Sequence, residues 1–426
     1  MLLMAATFII TLLTGMPIAF CLGVTTLVSV LFMGDLPLAI LPQKMFTGVD
    51  FFSLTAIPFF ILAGELMNHG KITDALVAFA QQIVGRMRGG LAHVNIVASM
   101  FFSGITGSAV ADASALGSLL IPAMEKEKYG RGFASAVTAA AAVMGPIIPP
   151  SIIMVVYALV EGGVSIGALF MAGYIPGILI GLFQMVTAYF IARKENLPRM
   201  DESFSLPVFL SRFKSALLPL FTPLIIMGGI LGGIFTPTEA AAVACLYAFL
   251  VGYFVFRSLD IAHLPKILFN TVVTTSMVFL IFCMGQVLVA LLTINQVPQQ
   301  ITEFMLSISS NPFVFLLLVN ILLLIVGCFI EAGVAIIILV PILAPVAVKM
   351  GVDPLHFAMV VVVNLCLGLL TPPMGVVLFV VCGIANLSLE EITRAIWPFL
   401  IAILIVLFLI TYIPPLTLAI PRYFGF

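Results

Sequence analysis

Hydroxyl side chains and glycines cluster at a few points of a chain that is otherwise very apolar. A hard monovalent cation is bound by several oxygen ligands, and unwound backbone beside hydroxyl groups supplies them without burying a full countercharge. Ser103, Thr106 and Ser108, facing carbonyl groups near Gly145, therefore predict one sodium cage. Single Ser and Thr residues in membrane helices more often bond to nearby backbone, which is the alternative interpretation.

A second cage is predicted from a similar pair of segments later in the chain. It would use the tip from Gly327 to Gly333, carbonyl groups near Gly368 and the hydroxyl of Thr371. Two cages imply two or more bound sodium ions. The predicted sodium-site residues are Ser103, Thr106, Ser108, Gly145, Gly327, Cys328, Glu331, Gly333, Gly368 and Thr371.

Four carboxylates lie within apolar segments, where a charge is costly and is a functional candidate by default. Asp112 and Glu331 either line an aqueous cavity or cap the start of a helix, and the sequence leaves both roles open. Glu239, in the segment Thr236-Pro-Thr-Glu239, is predicted to cap a helix, and Glu65 lies near a membrane end.

Two helices are predicted to begin directly after proline pairs. Helix N-termini after Pro150 and Pro373 would direct positive dipole ends into a cavity, which suits an anionic substrate. The residues predicted to contact this substrate are Thr106, Asp112, Pro149, Pro150, Ser151, Pro372 and Pro373.

The helix-breaking sequence occurs twice, as Gly145-Pro-Ile-Ile-Pro149-Pro150 and as Gly368-Leu-Leu-Thr371-Pro372-Pro373. Positions 145 and 368 are 223 residues apart, and the same offset relates 122 to 345, both Pro, and 165 to 388, both Ser. Paired interrupted helices in two repeats point to a binding site at the membrane midplane of a transporter. The alternative is a pair of ordinary proline kinks.

Composition defines the class of protein. With 63% hydrophobic and 8% charged residues and a mean hydropathy of +1.30 over 426 residues, the chain is predicted to be an all-α polytopic membrane protein surrounded by lipid. Its 17 basic and 18 acidic residues nearly balance, so a nucleic acid partner is not expected. Six cysteines without a CxxC pair are expected to be small core residues.

Nine membrane crossings are predicted from apolar segments of about 20 residues or more. They lie at 2–33, 45–69, 130–161, 167–192, 215–234, 236–256, 265–293, 354–386 and 395–418. The crossings at 130–161 and 354–386 are the broken helices. The shorter amphipathic segments 72–83 and 299–308 are predicted either to lie at the membrane surface or to act as mechanical arms.

Two further segments, 89–124 and 312–348, are predicted to be re-entrant helical hairpins. In the first, apolar arms at 89–102 and 113–124 are too short to cross about 30 Å of hydrocarbon. The domain prediction is a first repeat at 1–193, a cytoplasmic linker and connecting helix at 194–235, and an inverted second repeat at 236–426. The predicted mobile unit, 89–161 with 312–386, slides against the remaining spans.

Basic residues predict the orientation, because Lys and Arg concentrate on the cytoplasmic side. Such residues occur at 86–88, 126–131 and 193–214, whereas 295–311 contains none. The N-terminus, both ends of the first hairpin and the linker are therefore expected in the cytoplasm. Both ends of the second hairpin, including Lys349, are expected outside.

Three motifs resemble the large membrane subunit, of the DctM or SiaM type, of tripartite ATP-independent periplasmic (TRAP) transporters. They are Phe102-Ser-Gly-Ile-Thr-Gly-Ser-Ala-Val-Ala-Asp112, Gly145-Pro-Ile-Ile-Pro-Pro-Ser151 and Leu370-Thr-Pro-Pro-Met-Gly375. The resemblance implies an elevator-type, sodium-coupled transporter of the ion-transporter superfamily in the bacterial inner membrane. It also implies two partners, a small four-helix membrane subunit and a periplasmic binding protein that delivers a carboxylate such as sialic acid or a C4-dicarboxylate.

Three alternatives belong to other functional classes or mechanisms. A sodium/carboxylate transporter of the same superfamily that needs no binding protein is the nearest. A non-transporting membrane subunit would not require two opposed hairpins with polar tips. An intramembrane enzyme is disfavoured, because the sequence has no HExxH motif and His93, in a hairpin arm, has no evident nucleophile around it.

Overall fold

A computed structural model describes residues 2–33, 36–70, 72–199, 205–309, 311–372 and 375–426. The chain is all-helical across these ranges, and none of the residues in them forms a β-strand. This is expected in a bilayer, where a helix satisfies its own backbone hydrogen-bonding groups. Residues 200–204 of the predicted linker and Pro373 of the second proline pair lie outside the described residues.

The described residues up to 199 form ten α-helices. They are α1 (Leu2–Leu13), α2 (Ile18–Met33), α3 (Ile40–Val49), α4 (Ala56–His69), α5 (Ile72–Val84), α6 (Gly90–Thr106), α7 (Ala109–Lys126), α8 (Arg131–Ala142), α9 (Ile152–Glu161) and α10 (Ile166–Lys194). The predicted single span at 2–33 is wrong, because residues 14–17 separate α1 from α2. Gly15 there has a φ of +76°, and Pro17 lacks the N–H that a continuous helix needs.

Ten more α-helices lie in the described residues from 205 onward. They are α11 (Leu206–Leu231), α12 (Pro237–Leu250), α13 (Leu264–Ile294), α14 (Val297–Ile308), α15 (Pro312–Gly327), α16 (Ala332–Lys349), α17 (Pro354–Gly368), α18 (Val376–Ala385), α19 (Leu389–Tyr412) and α20 (Pro415–Tyr423). The predicted span 395–418 is wrong in its second part, because α19 ends at Tyr412 and the pair Pro414-Pro415 starts α20.

Six helical stretches in the described chain are long and apolar enough to cross a membrane, so the protein is a multi-pass membrane protein. They are Ile166–Lys194, Leu206–Leu231, Pro237–Val255, Ile261–Ile294, Ala332–Lys349 and Leu389–Tyr412. A seventh span is formed if the bent pair Ile40–Val49 and Phe52–His69, at 62° to each other, counts as one. The other predicted crossings are interrupted helices.

Both predicted hairpins have longer arms and shorter tips than expected. In the first, α6 and α7 are separated only by Gly107 and Ser108, because Gly107 adopts a left-handed conformation with φ +62° and Ser108 caps the next helix. In the second, residues 328–331 separate α15 from α16. The re-entrant course therefore stays a prediction that rests on the polar tips and not on short arms.

The 223-residue offset recurs in the helix boundaries. The starting residues Ala109, Arg131 and Ile166 of α7, α8 and α10 correspond to positions 332, 354 and 389, where α16, α17 and α19 start. The N-cap residues Ser165 and Ser388 also correspond, and each accepts a backbone N–H with its side chain. Equivalent residues thus define equivalent helix starts in the two halves.

The helix that precedes each break, α8 in the first case and α17 in the second, lies at the centre of the molecule. Every residue from Phe133 to Ala142 of α8 and from His356 to Gly368 of α17 is buried. A helix that is apolar and buried on all sides is surrounded by other helices. Here α7, α19 and α6 pack around α8, and α15, α16 and α19 pack around α17.

Matched residues at the ends of α7 and α16 test the predicted inversion. Lys126 and Lys349 are equivalent, exposed and last in their helices. In a cysteine-free background, we expect Lys126→Cys to be labelled by an impermeant thiol reagent from the cytoplasmic side and Lys349→Cys from the opposite side. Arg193→Cys serves as a cytoplasmic control. Labelling of both lysine positions from one side would contradict the inverted repeat.

Candidate functional site

The first hairpin tip is held together by a buried carboxylate. Ser103 Oγ donates a hydrogen bond to Asp112 Oδ2 at 2.9 Å, and Thr106 Oγ1 donates to Asp112 Oδ1. All three residues are buried. Because Ser103 and Thr106 end α6 and Asp112 lies in the first turn of α7, these bonds connect the two arms of the hairpin across its tip.

Helix capping divides the acidic candidates. At the start of α7 the cap is Ser108, whose Oγ accepts from Ala111 N at 3.4 Å, so Asp112 does not cap that helix. Glu331 does cap α16, because its Oε2 accepts from Val334 N at 3.2 Å. Glu239 takes part in capping α12, as predicted, and does so at the third helical position in a capping box whose N-cap residue is Thr236.

The first tip lies directly against the first helix break, as the sequence predicts. A Cβ atom added to Gly145 would lie 2.8 Å from Asp112 Oδ2 and 2.9 Å from the carbonyl carbon of Ser108. A Cβ atom added to Gly107 would lie 2.6 Å from the carbonyl oxygen of Pro150. The backbones of tip and break therefore touch at positions where only glycine fits.

The nonhelical residues 143–151 end in a capped helix start. Ser151 Oγ donates to the carbonyl oxygen of Pro146 at 2.6 Å and accepts from Met154 N at 3.2 Å, so the hydroxyl fixes the break and caps α9. The peptide bond between Pro149 and Pro150 is cis. The N-terminus of α9 lies beside the hairpin tip, because a Cβ atom added to Gly107 would lie 3.3 Å from Ile152 N.

The second tip and break make an even closer backbone contact. A Cβ atom added to Gly368 would lie 2.6 Å from the Cα, carbonyl carbon and carbonyl oxygen of Gly327. Thr371 Oγ1 donates to Leu367 O at 2.9 Å and Cys328 Sγ to Leu324 O at 3.0 Å. These two side chains bond to their own helical segments, which matches the local-bonding alternative, and the contact is made by backbone atoms.

Glu331 also lines a small cavity of about 60 Å³ where three parts of the chain meet. The other lining residues belong to the start of α16, to α9 and to α13: Gly333, Val334, Ile337, Ile152, Ile153, Val156, Val278 and Ile281. The cavity lies between the second hairpin tip and α9, the helix that follows the first break. Its walls are apolar apart from the glutamate.

The structure brings the predicted residues together in two groups. Ser103, Thr106, Ser108, Asp112 and Gly145 form one group with the proline pair and Ser151, and Gly327, Gly333, Glu331, Gly368 and Thr371 belong to the other. Pro372 follows Thr371 in the second break and is the last described residue before position 375. Gly107 was missed, and its signal was its place between two hydroxyl residues at the tip.

The glycine contacts predict unequal effects of alanine substitution. Gly368→Ala is expected to lower the free energy of unfolding by about 1–3 kcal/mol, because the new methyl group would overlap the Gly327 backbone. Gly383→Ala, in α18, is the control, since no atom lies within 4 Å of its added Cβ. Thermal unfolding in detergent measures both. Equal stability of the two variants would contradict the backbone contact.

Comparisons with known proteins agree with this architecture. The family model described as the DctM component of tripartite ATP-independent periplasmic transporters matches residues 5–416. The chain is 43% identical to the sialic acid TRAP transporter large permease protein SiaM of Vibrio cholerae, covering 96% of each protein. It is 40% identical to the C4-dicarboxylate TRAP transporter large permease protein DctM of Pseudomonas aeruginosa, covering 95% of this chain and 94% of that protein.

A solved structure shares the fold at low sequence identity. The YdaH transporter of Alcanivorax borkumensis aligns with a TM-score of 0.65 and 14% identity, covering 88% of each chain. The relatives are permease subunits and not enzymes. The match over nearly the whole chain shows that this protein belongs to the DctM component family of tripartite ATP-independent periplasmic transporters.

Proposed function

We propose that this chain moves a small organic anion across the membrane by secondary transport driven by sodium. The observation that carries the proposal is the contact between the first hairpin tip and the first break, where carboxylate, hydroxyl and unwound backbone groups meet. Family membership supports uptake of an organic acid. Because the two relatives are a sialic acid and a C4-dicarboxylate permease, a carboxylate is the proposed substrate class.

Asp112 supplies the negative charge for the first proposed sodium site. Its two oxygens accept from Ser103 and Thr106, whose own oxygens keep lone pairs for a cation. Within the described ranges no Lys, Arg or His forms an ion pair with this carboxylate. We propose sodium as its counterion, with backbone oxygens next to Gly145 completing the ligand shell. The second site would use backbone oxygens around Gly327 and Gly368.

The anion is proposed to bind between the two breaks. The N-termini of α9 and α18 each follow a break, and Gly375, the N-cap of α18, provides no side-chain cap. The positive end of the helix dipole at such an N-terminus favours a carboxylate. The small cavity beside Glu331 lies at the start of α9, where the glutamate is an acceptor for hydroxyl groups of the substrate.

We further propose an elevator motion in which the hairpins and broken helices move as one body. Buried hydrogen bonds join α10 and α19 to this body: Gln184 Nε2 donates to Ala140 O at 2.8 Å, and Asn320 Nδ2 to Thr411 Oγ1 at 3.0 Å. Breaking buried hydrogen bonds is costly. The proposed body therefore includes α10 and α19, which the sequence analysis had assigned to the scaffold.

The family implies that the chain works with partners. We propose a small membrane subunit and a periplasmic binding protein that delivers the substrate, with the chain in the inner membrane and its N-terminus in the cytoplasm. Uptake in proteoliposomes with and without the binding protein distinguishes this from the transporter that needs none.

Sodium dependence tests the first ion site. Thr106→Ala and Ser103→Ala are expected to raise the sodium concentration for half-maximal uptake roughly tenfold, since loss of one ligand worth about 1.4 kcal/mol changes affinity by that factor. Asp112→Asn should raise it further. Ser118→Ala is the control, because Ser118 is exposed on α7 and bonds only to Ala115 O. Unchanged sodium dependence in all three site variants would place the ion elsewhere.

Engineered disulfides test the moving body. A Cβ atom on Gly104 would lie 3.5 Å from Pro223 Cβ of the connecting helix α11, and one on Gly132 would lie 3.7 Å from Ala395 Cβ of α19. Both distances suit a disulfide. In a cysteine-free background, oxidised Gly104→Cys/Pro223→Cys is expected to stop uptake, because it joins body to scaffold, and reduction should restore it.

The second pair is the matched control. Gly132→Cys/Ala395→Cys lies within the proposed body, so its oxidation should leave uptake unchanged. Full activity of the oxidised first pair would contradict the elevator. Inhibition by the second pair would remove α19 from the moving body.

A further inference from the structure

Several buried side-chain oxygens of the first repeat have no hydrogen-bond partner among the described residues, and three of them lie on the adjacent helices α6 and α10. They are Asn95 Oδ1 and Ser99 Oγ on α6, and Gln184 Oε1 on α10. The exposed fractions of these residues are 0%, 1% and 0%. A buried polar atom without a partner is costly, and such groups in native proteins are commonly satisfied by an internal water molecule.

The orientation of the Asn95 and Gln184 side-chain amides is fixed by the hydrogen bonds that their nitrogen atoms donate. Thr138 Oγ1 donates its only proton to Ala134 O, so it can only accept from the Asn95 amide nitrogen, which lies 2.6 Å away. Gln184 Nε2 donates to Ala140 O. Both amide oxygens must therefore point away from α8, and both are free to accept.

The helix break leaves the carbonyl group that Gln184 binds without its usual helical partner. In a continuous helix Ala140 O would accept from Met144 N, but that amide donates to Ala141 O at 3.1 Å. The Gln184 side chain replaces the lost bond from a neighbouring helix. The position of Gln184 thus affects where α8 ends and where the break with Gly145 begins.

Helix packing brings the three residues that carry these oxygens to one level. A Cβ atom on Gly89 would touch Ala192, and one on Gly181 would touch Met100, so α6 and α10 run antiparallel with a regular pairing of positions. In that pairing Gln184 lies opposite position 97, between Asn95 and Ser99. Asn95 and Ser99 are one helical turn apart and lie on the same face of α6.

The second repeat contains a similar joint in which a direct side-chain bond joins the helices equivalent to α6 and α10, while Asn364 Oδ1 has no partner among the described residues. Asn320 of α15, at the position equivalent to 97, donates to Thr411 Oγ1 of α19 and accepts from Asn364 Nδ2 of α17 at 2.7 Å. Through Asn320, α15 is thus bonded directly to both α17 and α19. In the first repeat α8 is bonded to α6 and to α10. A direct bond between side chains of α6 and α10, equivalent to the bond between α15 and α19, is not formed among the described residues.

We propose that a single internal water molecule binds between α6 and α10 and completes this joint. It would donate to Asn95 Oδ1 and Gln184 Oε1 and accept from the Ser99 hydroxyl, which makes the three hydrogen bonds typical of a buried water. A water of this kind satisfies all three atoms at once. It fixes the Gln184 side chain, and through Ala140 it positions the first break. The proposal does not depend on which ion or anion is transported.

A density map of the complete transporter complex tests the site directly. At a resolution where other buried waters are visible, we expect one density within about 3 Å of all three oxygens. No density there, with other waters resolved, would overturn the proposal. Ligand distances of roughly 2.4 Å would indicate a coordinated cation and would also overturn it.

A double-mutant cycle in the full chain provides the second test. Asn95→Leu and Gln184→Met are each expected to lower Tm, and the double variant should lose less than the sum, because both residues share one water. Asn320→Leu with Thr411→Val is the positive control for a direct bond, and Asn95→Leu with Thr411→Val the additive control. Additive losses for Asn95 and Gln184 would overturn the shared water.

Discussion

Backbone contact between each hairpin tip and the neighbouring helix break is the constraint on which the rest of the structure depends. An interrupted helix in a bilayer leaves amide and carbonyl groups that lipid cannot satisfy. Here each break is covered by a tip, and the approach is so close that Gly107, Gly145 and Gly368 have no room for a Cβ atom. The surrounding helices then exclude lipid from the breaks, and α8 and α17 are buried throughout most of their length.

Much of this arrangement could be predicted because proline and glycine act locally. The offset of 223 residues predicts which helices correspond, and α7 with α16, α8 with α17 and α10 with α19 start at equivalent residues. Tip length could not be predicted in the same way. One left-handed glycine, Gly107, is enough to reverse the chain, so the hydroxyl residues expected in a long loop lie in the helices.

Side-chain pairing at the first tip and around the first break could not be predicted from the sequence. Whether Asp112 meets Ser103 and Thr106 depends on the rotation of α7 relative to α6, which the conformation of two residues determines. The role of Gln184 depends on packing between helices 44 positions apart in the chain. The sequence therefore indicates which residues lie near the tips and breaks better than it indicates which atoms form hydrogen bonds.

The two repeats differ in the position of their carboxylate. Ser108 and Glu331 are equivalent caps, whereas Asp112 corresponds to Ala335, so the acid lies one helical turn earlier in the second repeat. In the first tip both carboxylate oxygens are engaged and buried. In the second, one oxygen binds a helix amide, and the residue is exposed to the cavity between the repeats. A shift of one turn thus gives the first tip a closed polar centre and the second an open one, so that two similar helical units place their carboxylates in different environments.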